Sequence, residues 1–304
     1  MGSFLLMNYD KLIVNKNILI TGGAGFVGSH LAQRLHSNGN TVFVLDNYFT
    51  GKISNHVKGV SYRKGETKDI YRLFHKAKPF DYIYHLGEYS RVEQSYEDIQ
   101  LVMNYNMYPF FEVLRLANAH QSKLIYSGSS TKFSHNLDMV ESPYSFTKRI
   151  NTELLVKYAN WFKIKYAITY FYNVYGPNEI SNGKYATVIA KFLSFRKHGA
   201  KFLPITKPGT QRRRFTHVED IINGLLIVGK KGVGDNFGIG ADKSYNMIDI
   251  ANLLNMKIKF QPAKKGNRLN ASLRTKKTKN LGWKPYKNLK DYLFQEIQMG
   301  IDKS

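Results

Sequence analysis

One stretch limits what this chain can become more than any other: Ile18-Leu19-Ile20-Thr21-Gly22-Gly23-Ala24-Gly25-Phe26-Val27-Gly28-Ser29-His30-Leu31. An apolar run of strand length ends in a glycine-rich turn, and the turn opens into a helical pattern. A strand that feeds a helix through glycines is a cradle for phosphate. Gly22 allows the tight turn, Gly25 lets the backbone approach a pyrophosphate, and Gly28 lets the helix pack close to the strand. The helix start at Phe26 and Val27 offers free N–H groups and a partial positive charge. A second apolar run, Thr41 to Leu45, ends in Asp46, and an acid at the tip of the second strand is where a ribose 2′-hydroxyl is bound. Together these features predict a dinucleotide site. An ordinary strand-to-helix turn with spare glycines is the competing reading, and the legible strand and helix on either side weigh against it.

The rest of the first half repeats the strand–helix alternation. Val60 to Arg63, Tyr82 to Leu86, Lys123 to Ser127 and Tyr166 to Phe171 read as strands, while Ser95 to Asn118 and Tyr144 to Phe162 carry helical periodicity. Repeated units of this kind imply a parallel sheet with helices on both faces and ligands beyond the carboxyl ends of its strands. The second half is less regular, with helical stretches at Tyr185 to His198, Asp220 to Val228, Asp242 to Leu254 and Leu289 to Gln298 between basic loops. It contains no repeat and no low-complexity linker, so it reads as an interleaved cap. The expected division is 17–173 plus about 215–235 for the dinucleotide-binding part, about 174–214 plus 236–304 for a substrate-binding part, and 1–16 as an N-terminal extension.

Bulk properties narrow the function classes. The 304 residues are 43% hydrophobic, enough for a large core, and no apolar run is long enough to span a bilayer. Residues 1–16 lack the charged, apolar, small order of a secretion leader; the expectation is that Met7 is the native start. There is no cysteine, which excludes disulfides, thiol catalysis and cysteine metal sites and fits a cytoplasmic protein. No metal is expected. The formal net charge is +23. A nucleic-acid binder has such a charge, and so does an enzyme for anionic sugar nucleotides. The charge is spread along the chain, with denser patches at Arg212 to Arg214, Lys264-Lys265 and Lys276 to Lys279; this favours a solvated basic face over a nucleic-acid track.

The reactive pattern lies at Glu141-Ser142-Pro143-Tyr144-Ser145-Phe146-Thr147-Lys148. Tyr144 and Lys148 are four apart at the opening of a helix, which puts both on one face. A tyrosine of ordinary pKa, about 10, is a poor base at neutral pH, and a nearby ammonium and oxidised nicotinamide stabilise its phenolate. By itself the pair is a common coincidence. Upstream, at a strand end, stands Ser127-Gly128-Ser129-Ser130-Thr131, whose hydroxyls suit a hydrogen bond to a substrate hydroxyl. Glycine turn, hydroxyl run and Tyr/Lys pair then follow in one chain order.

At this point the sequence resembles the extended short-chain dehydrogenase/reductase superfamily, and most closely its NAD-dependent sugar-nucleotide epimerase/dehydratase branch typified by UDP-glucose 4-epimerases. The motifs are Thr21 to Gly28, Asp46-Asn47, His85-Leu86-Gly87, Ser127 to Thr131 and Tyr144 to Lys148. Further matches are Asn173-Val174-Tyr175-Gly176-Pro177, Tyr185 to Ile189, Gly209 to Arg213 with Phe215 to Val218, and Leu281 to Pro285. The resemblance covers about residues 17 to 293. It implies an α/β fold, a Rossmann-type doubly wound parallel sheet with a smaller interleaved C-terminal substrate-binding part. By position it makes Tyr144 the catalytic base, Lys148 the holder of the nicotinamide ribose and Ser129 the hydroxyl partner, with Ser130 and Thr131 as substitutes. Asp46 and Asn47 would hold the adenosine ribose, Glu66 and Thr67 would lie near the adenine, and Leu86, Gly87 and Asn106 would line the dinucleotide. Ser90 would face the sugar. Asn173, Arg213, Phe215 and the region of Lys264 would meet the diphosphate and base.

The implied cofactor is NAD and the implied substrate a nucleotide-sugar, a UDP-sugar above others. The implied reaction is C4 epimerisation by transient oxidation through a 4-keto sugar. Decarboxylation, dehydration and 4-keto reduction on the same fold are the alternatives, with a nucleic-acid-binding relative less favoured. Dehydratases of the group carry an Asp-Glu pair after the catalytic hydroxyl, where this chain has Ser130-Thr131, so water expulsion is disfavoured. Family members pair as homodimers through two helices each; here these are the helix around Gln94 to Asn118 and the one opening at Tyr144.

Overall fold

The computed structural model describes residues 9–133, 141–262 and 272–301. In chain order the first half runs β1 (Asn17–Thr21), α1 (Phe26–Ser37), β2 (Thr41–Asp46), β3 (Ser61–Lys64), α2 (Ile70–Phe74), β4 (Tyr82–His85), α3 (Ile99–Val102), α4 (Tyr108–His120), β5 (Lys123–Ser129), α5 (Pro143–Phe162) and β6 (Tyr166–Phe171). The second half adds β7 (Val174–Tyr175), α6 (Val188–Lys197), β8 (Phe202–Thr206), β9 (Arg213–Arg214), β10 (Thr216–His217), α7 (Val218–Lys231), β11 (Gly234–Ile239), β12 (Ser244–Tyr245), α8 (Met247–Leu253), β13 (Lys257–Gln261), α9 (Lys276–Asn280) and α10 (Leu289–Ile301).

A seven-stranded parallel sheet, in the order β11-β6-β5-β4-β1-β2-β3, forms the body. This is the doubly wound arrangement expected from the alternation. Strands covered on both faces need apolar side chains on both, so β1 is a continuous run with Ile18, Leu19 and Ile20 all fully buried. Alternate residues serve alternate layers. Ile18, Ile20, Val42 and Val44 pack with Leu31, Leu35, Ile221 and Leu225 of α1 and α7. Leu19, Leu45, Ile83 and Leu124 pack with Phe110, Leu114 and Leu155 of α4 and α5. The order reverses between β1 and β4, and it is beyond the carboxyl ends of those strands that such sheets bind ligands.

A second core of Tyr175, Ile189, Phe192, Leu203, Phe215, Ile250 and Leu293 forms the cap. Three features differ from the sequence-based expectation. The strand β11 carries the central sheet on to residue 239, past the break expected near 235. The extension 1–16 is integrated where it is described: Ile13 is buried in the core of the sheet body, with Tyr9 and Leu12 packed against it. The single helix expected over Ser95 to Asn118 is broken: a π-helical turn, Met103–Met107, separates α3 from α4. Among the described residues no helix is long and apolar enough to cross a membrane, and no group of His, Asp and Glu could hold a metal ion.

Candidate active site

The glycine turn is built so tightly that only glycine fits. Gly22 has φ +73°, and a Cβ there would stand 2.7 Å from the Gly87 Cα. A Cβ on Gly28 would stand 2.1 Å from the Gly22 carbonyl oxygen. The turns after β1 and β4 therefore lie backbone against backbone, and α1 starts close to the sheet. Gly25 caps α1 with no side-chain hydrogen bond and no acid follows in the first turn, so the leading N–H groups face the turn without a protein acceptor of their own. Asp46, at the end of β2, accepts from the N–H of Ala24 at 2.9 Å and of Tyr48 at 2.8 Å, which fixes its carboxylate beside the turn. Asn47 donates to Glu66 at 3.2 Å. This is the shape and charge a dinucleotide's pyrophosphate and adenosine ribose require, so the residues present fit such a group.

A cavity of about 640 Å³ opens here. From the sheet body it gathers Gly22, Gly25, Phe26, Val27, Gly28, Asp46, Asn47, Glu66, Thr67, Leu86 and Gly87, and across from them Ser90, Asn173, Arg213 and Phe215. Sequence-distant candidates thus meet on one wall and its opposite. Asn173 sits at φ +32° and donates to the Arg214 carbonyl at 3.1 Å. Lys264 and Lys265 lie outside the described residues.

The reactive pair stands beside this cavity. Helix α5 starts at Pro143 because Ser142 caps it, accepting from the Ser145 N–H at 3.2 Å, and proline suits the first turn. That start presents half-buried Tyr144 one turn before buried Lys148. Ser129 closes β5, 8% exposed, and its Oγ accepts from the Thr131 hydroxyl at 2.9 Å. Ser130 begins a short 3-10 turn. Residues 134–140, between these hydroxyls and Tyr144, lie outside the described residues.

Asn106 does not stand on the cavity wall where the resemblance puts it. It is fully buried in the π-helical turn, and its amide is taken up by the Tyr89 backbone and the Thr147 hydroxyl. It braces the loop after β4 against α5. An extra residue in a helix turns a side chain off its expected face, and the sequence carries no mark of that.

Four features escaped the sequence reading. The first is Glu88, just beyond β4, whose side chain is 1% exposed and ion-paired to Lys148. Lys148 also donates to the Ser127 carbonyl at 2.5 Å. Burial alone would raise the Glu88 carboxyl; Lys148 and His85 outweigh it and hold it below the usual carboxylate range. The second is Arg91, whose guanidinium is lowered by burial and faces the phenols of Tyr144 and Tyr89 and the Glu179 carboxyl. The third is Glu179, on the cavity wall, pushed up to about 7 by burial. The fourth is a clasp. Arg91 donates twice to the Tyr185 carbonyl, at 3.0 and 2.7 Å; the Tyr185 hydroxyl reaches Asp98 at 2.9 Å; Lys184 reaches Asp98 at 2.8 Å; and Gln94 reaches the Lys184 carbonyl at 3.1 Å. Phe49, from the loop after β2, meets the rings of Tyr185 and Tyr105 at 5.1 Å each. An acid directly after the apolar strand and Gly87, in His85-Leu86-Gly87-Glu88, was the only trace of the first feature.

Comparison with known proteins agrees with this geometry. Residues 18–240 match the family described as the NAD dependent epimerase/dehydratase family. UDP-glucuronic acid decarboxylase 6 of Arabidopsis thaliana is 30% identical over 265 residues, 81% of this chain and 75% of that protein. The crystal structure of UDP-glucose 4-epimerase with UDP-glucose from Thermotoga maritima superposes with a TM-score of 0.87 at 26% identity, covering 94% of this chain and 99% of that one. The Bordetella bronchiseptica enzyme WbmF in complex with NADH superposes with a TM-score of 0.83 at 26% identity, covering 95% and 92%.

Proposed function

The chain belongs to the NAD-dependent epimerase/dehydratase family, and from that premise we propose that it epimerises a nucleotide-sugar at C4, a UDP-hexose, with NAD as resident cofactor. The glycine cradle, Asp46, Asn47, Glu66, Thr67, Leu86 and Gly87 would hold the cofactor from the sheet body, and Tyr144 and Lys148 from α5. When bound, NAD supplies a hydride acceptor and donor at the sugar carbon. Tyr144 takes the proton of the sugar hydroxyl and returns it to the same oxygen. Ser129 orients that oxygen. Ser90, Ser130, Asn173, Arg213 and Phe215, with Lys264 on the sequence reading, anchor the nucleotide while the sugar turns over.

The observation that carries this reading is the surroundings of Ser129. Its hydroxyl is bonded to Thr131, and the two positions that follow it, Ser130-Thr131, carry no acid to expel water from C6. Epimerisation needs only one group that moves a proton at one oxygen, and Tyr144 suffices. The half-buried cation of Arg91, which interacts electrostatically with Tyr144, favours a second reading, in which a hexuronate carboxylate is held and lost, as the Arabidopsis relative's name describes for that protein.

Incubation with UDP-glucose and UDP-galactose, followed by NMR, separates the two from incubation with UDP-glucuronate followed by carbon dioxide release. Tyr144→Phe should lower turnover by roughly two to four decades, the usual worth of a general acid–base group. Wild-type-like epimerisation by that variant would remove Tyr144 from the reaction, and release of carbon dioxide without epimerisation would favour the second reading. The same proposal includes a homodimer through α4 and α5. Tyr108, Phe111, Phe146, Trp161 and Phe162 are large apolar side chains left exposed on those helices; Phe111 of α4 packs against Tyr158 of α5, and Phe162 packs against the same ring from within α5.

A further inference from the structure

Lys148 stands behind two residues of the cavity wall, Glu88 and Ser127, with its charge already answered. Its Nζ donates to Glu88 and to the Ser127 carbonyl at 2.5 Å, and it lies 4.9 Å above the Tyr126 ring. An ammonium has three N–H groups, so one remains for a ligand. The carboxylate is held as firmly as the lysine. Asn151 donates to its Oε1 at 2.9 Å and Tyr126 to its Oε2 at 3.2 Å. His85 Nε2 lies 3.4 Å from Oε1, within ion-pair range but out of hydrogen-bond alignment, while the other ring nitrogen is bonded to Thr21 at 2.7 Å. A carboxylate with this many partners, 1% exposed, is a built feature of the site and not a stray surface acid. Glu88 also lines the cavity.

We infer that Glu88 is a positioning residue that sets the charge of the pocket end backed by Lys148: it turns a buried cation into a neutral pair, so that the pocket takes an oxidised, cationic nicotinamide as readily as a reduced, neutral one. This rests on NAD being the cofactor. A lone ammonium in that place repels the oxidised ring and leaves the reduced ring untouched, so it would trap the cofactor in its reduced form. A neutral pair removes the bias and keeps both directions of hydride exchange open.

The test compares the dissociation constants of NAD⁺ and NADH for the full chain freed of nucleotide, at mildly acid pH. Glu88→Gln keeps the shape and removes the charge; it should raise the ratio of the NAD⁺ constant to the NADH constant by about tenfold, the effect expected of one charge roughly 10 Å away in a partly polar interior. Adding Lys148→Met makes the pocket neutral again, and the ratio should return close to the wild-type value although both affinities fall. If Glu88→Gln weakens both nucleotides equally, or leaves the ratio unmoved, Glu88 only braces the structure and the inference is overturned. Should Glu88→Gln not fold, Lys148→Met alone carries the test at mildly alkaline pH: the unpaired carboxylate should lower the ratio, and an unchanged or raised ratio overturns the inference. A wild-type protein that binds neither nucleotide defeats the cofactor reading itself, an outcome distinct from binding with an unmoved ratio.

Discussion

Replacing Glu179 by Gln should stabilise the protein at alkaline pH and flatten its pH dependence. The Gly176 N–H donates to Glu179 Oε2 at 3.0 Å, and Oε1 is shielded from solvent without a hydrogen-bond partner. Although the residue as a whole is only half-buried, that oxygen explains why burial pushes the carboxyl from 4.5 up to about 7, against the lowering effects of Thr187, Gly176 and Arg91. The folded state keeps the proton up to about pH 7 while the unfolded chain gives it up near its ordinary value. The folded state therefore binds more protons in that window, and stability falls as pH rises through it. A carboxyl moved that far corresponds to about 3 kcal/mol, and partial exposure of the residue reduces the expected gain to about 1–3 kcal/mol. Gln keeps an oxygen for the Gly176 N–H and has no charge to desolvate. Thermal unfolding followed by circular dichroism, at about pH 5 and about pH 8, should show a variant more stable by roughly 2–6 °C at the higher pH and equal at the lower. Asp220, pushed up to about 6 by burial, acts in the same direction in both proteins and cancels in the difference. A variant that melts at or below the wild type at about pH 8 would refute the reasoning.

Gly28→Ala puts a Cβ 2.1 Å from the Gly22 carbonyl oxygen, a backbone atom that cannot swing aside, so α1 must shift. It should cost about 1–3 kcal/mol of stability and at least about tenfold in dinucleotide affinity; titration showing wild-type affinity would count against the cradle. The Asp46 carboxylate beside the turn, with no arginine directly after it, should favour NAD⁺ over NADP⁺ by at least about tenfold, and tighter NADP⁺ binding in the same titration would exclude that. Phe111→Glu should split the proposed dimer, seen as a halved mass in light scattering at micromolar concentration; a wild-type monomer would remove the proposal.

What could be read from the residues was what is local. The strands β1, β2, β4, β5 and β6 are largely buried and so appear as apolar runs, while the edge strand β3 is mostly exposed. The glycine turn, Asp46 and the Tyr144–Lys148 pair each carry their meaning within a few residues. The strand β11 begins Gly234-Asp235-Asn236, residues of poor strand propensity, and owes its place to pairing with β6, with a register shift between Gly234 and Phe237. The strand β13 is largely exposed, and its partner β8 is only five residues long with Pro204 between buried Leu203 and Ile205, so the pair leaves little pattern in the sequence. Lys276 to Lys279, expected as a basic loop, forms α9, with Thr278 turned inward. The Glu88–Lys148 pair joins the end of β4 to α5 across sixty positions of sequence, and no local pattern can announce such a meeting. Asn106, which the resemblance places along the dinucleotide, lies fully buried in the π-helical turn, a feature the sequence does not mark.

The clasp over the cavity has a consequence for residence time. Arg91, Gln94 and Asp98 hold the backbone and side chains of Lys184 and Tyr185 from one short segment. Arg91, Gln94 and Lys184 also line the cavity, so a ligand lying beneath the clasp would leave as these bonds part, and its residence time would depend on the loop as well as on the affinity of the pocket.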